Sequence, residues 1–172
     1  MDDPLDTARP REWDAGRRIS DGKQAGIHRN EPAYLFRAID QDGQVVDVYF
    51  SERRHADAAM TFFQRAITTT GVTPTRVTTD KAKCYPPALR VCLPTAVHRS
   101  AKYLNNGLER DHGHLKQRLR PMRGFKRPAS ADTVSRGHGL VQNLRNGFSA
   151  LTAAVPRALR LAAAWPRLAS MV

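Results

Sequence analysis

Asp80 and Glu109 are two carboxylates that the sequence places in regular elements, where they could hold a divalent cation. Asp80 follows Thr75–Thr79, a short β-branched run that predicts a strand. Glu109 lies in a predicted helix whose first free N–H groups Asn105 or Asn106 can cap. Carboxylate oxygens are the ligands that Mg²⁺ requires, and two such ions can activate a water and stabilise a leaving oxygen at phosphorus. Spacing alone leaves open that Asp80 forms a turn and that Glu109 lies on a solvated helix face.

A cation shares the predicted helix face with Glu109. Lys116 follows Glu109 by seven residues, so the two side chains lie about 20° apart around the helix. Leu108, Leu115 and Leu119 point elsewhere and form an apolar seam. In this position Lys116 could hold a phosphate beside a bound cation as a point charge.

The chain is strongly basic, which predicts a polyanionic partner. Its 172 residues include 28 Lys or Arg and 16 Asp or Glu, for a formal net charge of +12. Residues 99–136 hold ten of the bases and three of the acids, so this stretch alone carries +7. Such an excess favours nucleic acid. Charge by itself leaves open a ribosomal-type RNA binder or a basic membrane-surface protein.

Composition excludes several other classes of protein. Two cysteines, Cys84 and Cys92, are too few for a disulfide scaffold or a four-Cys zinc site. The apolar-looking stretch 150–172 contains three Arg and two Pro, which excludes a membrane span. The acidic N-terminus lacks the apolar core of a signal peptide. These features predict a cytoplasmic protein without a membrane partner.

Three compositional zones organise the chain. Residues 1–32 lack a periodic apolar pattern and predict a poorly ordered leader. Residues 33–148 alternate strand-like and helix-like patterns and predict the folded core. Residues 149–172 form an Ala-rich basic tail, which predicts a weak helix or a surface arm.

The core contains clear local signals for individual elements. Residues 33–39 and 44–50 are rich in strand formers, and the turn Asp40–Gly43 between them predicts a β-hairpin. Apolar residues recur at helical spacing from Arg54 to Thr69, and a last helix is predicted at about 130–148. A hairpin, helices and a further strand predict an α/β domain with helices packed on a mixed sheet.

Four motifs occur in order within the core: Tyr34-Leu-Phe-Arg-Ala-Ile-Asp40, Thr79-Asp-Lys-Ala82, Asn105-Asn-Gly-Leu-Glu-Arg-Asp-His112 and Arg123-Gly-Phe-Lys126. Together they resemble the core of DDE-type insertion-sequence transposases of the IS-six family. The resemblance implies an RNase H-like fold, with a mixed sheet flanked by helices. It also implies cleavage and rejoining of DNA strands with Mg²⁺ or Mn²⁺.

The resemblance implies roles for single residues as well. Asp80 matches the second catalytic Asp of the family and Glu109 its catalytic Glu, so both are expected to bind the metal. Lys116 matches a basic residue that contacts element-end DNA. The protein is expected to bind element ends and target DNA at the nucleoid, and to be a homo-oligomer when active. Further cations are expected to contact DNA phosphates: Lys102, Arg118, Arg120, Arg123 and Lys126.

The region before Tyr34 departs from the family pattern. The family has its first catalytic Asp on a strand shortly before the Tyr-Leu-x-Arg-Ala segment. Asp21 has nearly the right offset, but Gly22 and Gly26 predict a poor strand there. The sequence therefore predicts an incomplete N-terminal strand, with the first catalytic Asp either at Asp21 or absent.

Two hypotheses follow from this departure. One is a metal-dependent DNA strand-transfer enzyme. The other is a remnant of a 5′-truncated or frameshifted gene that binds DNA through its basic surface without cutting it. Because two ions would lack their bridging carboxylate, we expect the family to be right and the activity to be absent or very weak.

Overall fold

One mixed β-sheet with helices on both faces forms the body of the molecule. The computed structural model describes residues 12–20, 33–100, 113–115, 117 and 127–170. Residues 113–115 and 117 are helical. The strands within the described residues are β1 (Glu12–Ser20), β2 (Ala33–Asp40), β3 (Val45–Ser51), β4 (Arg76–Thr79) and β5 (Val97–Ser100). The further helices are α1 (Ala56–Thr70), α2 (Tyr85–Cys92), α3 (Pro128–Asn146) and α4 (Arg160–Ala169).

The sheet has the strand order β3-β2-β1-β4-β5. β1 pairs antiparallel with β2, and β2 pairs antiparallel with β3. On its other side β1 pairs parallel with β4, which pairs parallel with β5. The connections from β3 to β4 and from β4 to β5 run through α1 and α2. β1 is therefore the central strand, with a partner along each edge.

The presence of β1 shows that the prediction of an incomplete N-terminal strand was wrong. Residues 12–20 lie inside the segment 1–32 that we expected to be a poorly ordered leader, yet they pair with both β2 and β4. Trp13 and Ala15 are 2% and 0% exposed, so this strand is buried in the core. Asp21 follows the end of β1 and lies outside the described residues.

The predicted hairpin is confirmed, and its turn is held by Asp40. The Oδ1 atom of Asp40 accepts hydrogen bonds from the backbone N–H groups of Asp42 (3.0 Å) and Gln44 (2.8 Å). Gly43 closes the turn with a positive φ of 86°, a conformation that glycine adopts without steric cost. Asp40 is thus a turn former, in agreement with the turn predicted at Asp40–Gly43.

Helices α1 and α2 cover one face of the sheet with an aromatic cluster. The prediction of a helix at 54–69 is confirmed by α1, which ends at Gly71 in the left-handed conformation. Phe36 from β2 stacks on Phe62 from α1, with ring centroids 5.9 Å apart, and meets Tyr85 from α2 edge-on at 6.2 Å. All three are completely buried, so this face is the larger core of the protein.

The opposite face carries a smaller apolar cluster under α3 and the helical residues 113–115 and 117. Leu115 is 4% exposed and packs in one cluster with Leu35 and Ile39 of β2 and Val45 and Val48 of β3. α3, predicted at about 130–148, is confirmed at Pro128–Asn146 and packs on β3. The helix that contains Leu115 therefore crosses this second face of the sheet.

The C-terminal tail contains a helix. α4 spans Arg160–Ala169 and contains Pro166, which has no backbone N–H to donate to the preceding turn. Ala164 is buried, whereas Trp165 on the same helix is 60% exposed. None of the described helices is long and apolar enough to cross a membrane.

Candidate active site

The central strand presents a carboxylate, Asp14, on the second face of the sheet. Side chains alternate along a strand, and the neighbours Trp13 and Ala15 are both buried, Ala15 within the aromatic core. Asp14 therefore points to the opposite side. There it is in register with Ile39 of β2, a member of the second cluster, and with Thr78 of β4.

The surroundings of Asp14 disfavour its charge. Burial is the largest cause and raises the pKa of Asp14. A hydrogen bond from the Thr78 side chain lowers this pKa in part, and the neighbouring carboxylate of Glu12 raises it further. Glu12 itself forms an ion pair with Arg76 of β4. A bound cation would stabilise the ionised form of Asp14, since an opposite charge nearby offsets the cost of burial.

Asp80 directly follows β4, as the sequence predicted. Its Oδ1 atom accepts a hydrogen bond from the backbone N–H of Ala82 at 2.9 Å, which fixes the carboxylate in a turn. The preceding Thr79 is fully buried, and its hydroxyl lies 2.8 Å from the Nε2 atom of His98 on β5. The turn-forming role of Asp80 is thus real, and the described bond uses one carboxylate oxygen.

Asp14 and Asp80 belong to adjacent parallel strands. Asp14 is in register with Thr78, so Asp80 lies two residues beyond the partner of Asp14. Two residues correspond to about 6.5 Å along a strand. Asp14 was not among the site residues predicted from the sequence. The alternation apolar–acidic–apolar at Trp13-Asp14-Ala15 was the available signal, but it is short and two arginines follow it closely.

The other predicted site residues lie outside the described residues. Glu109 is one of them, and so are the cations expected to contact DNA: Lys102, Lys116, Arg118, Arg120, Arg123 and Lys126. Of the predicted helix, the structure describes residues 113–115 and 117. Leu115, predicted to belong to its apolar seam, is buried against the face that carries Asp14.

A buried cation shares this face. Arg37 of β2 is in register with Gly16 of β1 and Val48 of β3, and it is 0% exposed. It is two residues from both Leu35 and Ile39 of the second cluster, so it shares their face of the sheet with Asp14. The face therefore combines a buried guanidinium with a half-buried carboxylate.

A cavity of about 1120 Å³ opens beside Asp14. One wall consists of Asp14 and the hairpin turn, and the other includes His114, Gln117 and the C-terminal end of α3. Gln142 of α3 lies 3.3 Å from the Nδ1 atom of His114, which links the two helices at the floor. Asp80 is not among the residues that line the cavity, so the cavity extends from Asp14 away from the end of β4.

The carboxylates of this region can be compared with the ligands that a divalent cation requires. Within the described part of the chain, no three His, Cys, Asp or Glu side chains converge as metal ligands. Mg²⁺ takes oxygen ligands and usually only one or two carboxylates per ion, with water and phosphate completing its shell. Two carboxylates on adjacent strands, Asp14 and Asp80, fit this requirement.

Comparisons with known proteins agree with the fold and the motifs. A family model described as a DDE domain, of the IS240 transposase type, matches residues 28–148. Transposases of the insertion sequence-like element IS431mec and of element IS257 in transposon Tn4003, both from Staphylococcus aureus, are 35% identical over 95 residues. The match covers 50% of this chain and 40% of each relative, so the chain spans less than half of their length.

The fold has a counterpart among solved structures. The catalytic core domain of BIV integrase is similar with a TM-score of 0.51 and 16% identity, over 78% of this chain and 82% of that one. This likeness supports an RNase H-like sheet flanked by helices. With the family match over residues 28–148, it shows that the chain belongs to the DDE domain family of insertion-sequence transposases of the IS-six group.

Proposed function

We propose that this chain is a metal-dependent DNA strand-cleaving and strand-joining domain, with Asp14 as the first catalytic carboxylate, Asp80 as the second and Glu109 as the third. One observation carries the proposal. Asp14 lies on the central strand, in register with Thr78 and two residues before the level of Asp80, on the face crossed by the helix of Leu115.

Asp14 suits the first position better than Asp21 does. It lies within β1, flanked by two buried side chains, so its direction is fixed by the strand. Asp21 follows Ser20, the last residue of β1. A carboxylate on a paired strand is held more precisely than one beyond its end, and metal sites depend on such precision.

The helix of Leu115 supports the third position. Leu115 packs on the second face of the sheet, and Glu109 precedes it by six residues in the predicted helix. Six residues rise about 9 Å along a helix, and they turn it so that Glu109 lies about 120° around the predicted helix from Leu115. In a continuous helix Glu109 would therefore lie beside the contact between Leu115 and the sheet, near the face that carries Asp14.

Each residue then has a defined task. Asp14 and Asp80 would hold the cations, with the Thr78 hydroxyl orienting the first carboxylate and the Ala82 N–H orienting the second. When bound, Mg²⁺ or Mn²⁺ would supply a Lewis acid for phosphoryl oxygens and a readily deprotonated water. The cations of residues 99–136 would hold the DNA backbone by its phosphates.

The second candidate function is DNA binding without cleavage. It is favoured by the charge of +7 over residues 99–136. This basic stretch alone suffices for salt-dependent DNA binding. The two functions differ in whether the protein cuts a DNA strand.

A plasmid-nicking assay separates the two functions without knowledge of the element ends. The full chain is incubated with supercoiled plasmid and Mn²⁺ or Mg²⁺, beside the variants Asp14→Asn, Asp80→Asn and Glu109→Gln. We expect each variant to nick at least 10-fold more slowly, because each loses a metal ligand. Glu52→Gln, a change at an exposed carboxylate that follows β3 and lies outside the cavity, is the matched control and should nick like wild type.

Two other outcomes are informative. If the wild-type chain shifts DNA in a gel but leaves the plasmid intact, the non-cleaving function is correct. If Asp21→Asn loses nicking while Asp14→Asn retains it, the first carboxylate is Asp21 and our assignment of β1 is wrong.

A further inference from the structure

The cavity beside Asp14 has a wall that lies partly beyond the family-matched residues. α3 contributes Arg145 and Asn146 to this wall, and the segment that follows α3 contributes Phe148 and Arg157. At about 1120 Å³ the cavity exceeds the roughly 300–1,000 Å³ of typical small-molecule sites. Its size suits part of an extended polymer better than a compact cofactor.

We propose that Arg145 and Arg157 form a phosphate-binding site for the DNA strand that enters the cavity toward Asp14. The inference rests on the proposed function, which makes DNA the substrate and Asp14 its metal ligand. It adds a DNA contact on the C-terminal segment, outside the basic stretch 99–136. The ligand class is a phosphodiester backbone.

The charges in the cavity are divided between its walls. The carboxylates Asp14, Asp40 and Asp42 lie on the strand and hairpin side. Arg145 and Arg157 lie on the helix side, both exposed, and none of the ion pairs within the described residues uses either of them. A phosphodiester that bridges the walls would meet two guanidinium groups on one side and a cation held by Asp14 on the other. Guanidinium groups suit phosphate because they donate two parallel hydrogen bonds.

The backbone at the end of α3 fixes the second wall. The N–H of Gly147 donates to Leu144 (3.2 Å) and the N–H of Phe148 donates to Asn143 (3.0 Å), which is the Schellman arrangement of a helix end. Gly147 has a φ of +84°, a conformation that side-chain-bearing residues rarely adopt. The chain therefore leaves α3 in one defined direction, toward the cavity.

Arg160 fastens the same segment to α3. Its Nε atom donates to the carbonyl oxygen of Val155 at 2.9 Å, and its guanidinium also donates to the carbonyl oxygen of Arg145 at 3.1 Å. The second bond satisfies a carbonyl at the negative end of the helix. Arg157 lies between Val155 and Arg160 in the chain, so the segment that carries it is held at the end of α3 by the bonds of Arg160.

Salt-dependent DNA binding tests the proposal. Fluorescence anisotropy of a labelled 20-base-pair duplex is measured with the full chain in EDTA, at several salt concentrations, for wild type, Arg145→Gln, Arg157→Gln and the double variant. We expect each single change to lower the slope of log K against log salt by about 0.9, and the double change by about twice that. Arg167→Gln, an exposed arginine of α4 outside the cavity, is the matched control and should keep the wild-type slope.

The outcomes distinguish this proposal from the proposed function. A wild-type slope in the double variant, or an equal loss in Arg167→Gln, would overturn the phosphate site whether or not the protein nicks DNA. A different result is that the wild-type protein fails to nick plasmid while the double variant still shows a reduced slope of log K against log salt. That result would refute cleavage and support the phosphate site. EDTA keeps the binding assay independent of the metal.

Discussion

Asp47 is a carboxylate held almost out of solvent at the edge strand β3. Its side chain is 10% exposed, and its Oδ2 atom lies 3.6 Å from the Nε atom of Arg65 on α1. The same Arg65 lies over the ring of Tyr49, with its guanidinium carbon 5.1 Å from the ring centroid. Asp47 is shielded from solvent because α1 packs against β3.

The titration of Asp47 should make the protein less stable as the pH rises. Burial raises its pKa above the ordinary 3.8, in spite of the hydrogen bond from the Val48 N–H and the attraction of Arg65. The folded state therefore holds this proton more tightly than the unfolded chain, and that advantage is lost as the pH rises from 3.8 through the raised pKa. The free energy of unfolding of Asp47→Asn, taken relative to that of wild type, should therefore rise over this pH interval and stay constant above it.

Urea unfolding of wild type and Asp47→Asn between pH 3.5 and 7 measures this difference. A constant offset between the two proteins reflects other effects of the substitution and does not bear on the sign. A free energy of unfolding that falls for Asp47→Asn relative to wild type as the pH rises would show that Arg65 lowers the pKa of Asp47 instead.

At the scale of elements, α3 is joined to the sheet by one side chain. The Oδ1 atom of Asn143 accepts from the backbone N–H of Val45 at 2.8 Å, and its Nδ2 group donates to the carbonyl oxygen of the same residue at 2.9 Å. Val45 begins β3 next to an irregular step in the pairing with β2. Asn143 thus makes the two hydrogen bonds to the N–H and C=O groups of Val45 that a further strand would otherwise make.

Asn143→Ala should therefore destabilise the protein by about 1–3 kcal/mol, the cost of leaving buried polar groups unpaired. Asn146→Ala, an exposed asparagine one turn later on α3, should change stability by less than about 0.5 kcal/mol. Chemical denaturation followed by circular dichroism measures both. Equal effects of the two substitutions would mean that Asn143 contributes only helix propensity.

The elements also differ in how far the sequence predicts them. The β2–β3 hairpin and α1 have strong local signals, a Gly-closed turn and a clear helical period, and both are confirmed. β1 has no such signal, because its position depends on pairing with β4 far along the chain. α2 and β5 were not predicted, because both are short. In addition, Pro86 and Pro87 fit the first turn of a helix, but a pair of prolines usually indicates that a helix is interrupted.

At the scale of the whole molecule, the strand order explains why Asp14 and Asp80 lie near each other. Asp14 is on β1, Asp80 directly follows β4, and these two strands are neighbours in the sheet. The position of Asp80 directly after a strand was predicted from the sequence and is confirmed, whereas its role as a metal ligand stays a prediction. The sequence could not predict Asp14, because only the parallel pairing of β1 with β4 brings the two acids to the same region.

The whole molecule also explains why the tail was underestimated. Arg157 and Arg160 read in sequence as scattered charges in an Ala-rich segment. In the fold, the glycine-terminated end of α3 turns this segment back, and Arg160 bonds to the helix end. A contact between residues 15 positions apart is set by backbone geometry and leaves no pattern in composition.

The most direct test of the account is a Mn²⁺ titration of the full chain without DNA, with free Mn²⁺ followed by electron paramagnetic resonance. We predict that Asp14→Asn and Asp80→Asn each weaken Mn²⁺ binding at least 10-fold. The double variant should lose less than the product of the two single losses, because both carboxylates serve one shared site. Glu52→Gln should bind like wild type. If Asp14→Asn binds Mn²⁺ with wild-type affinity while Asp80→Asn does not, the central strand does not supply a metal ligand and the account is contradicted.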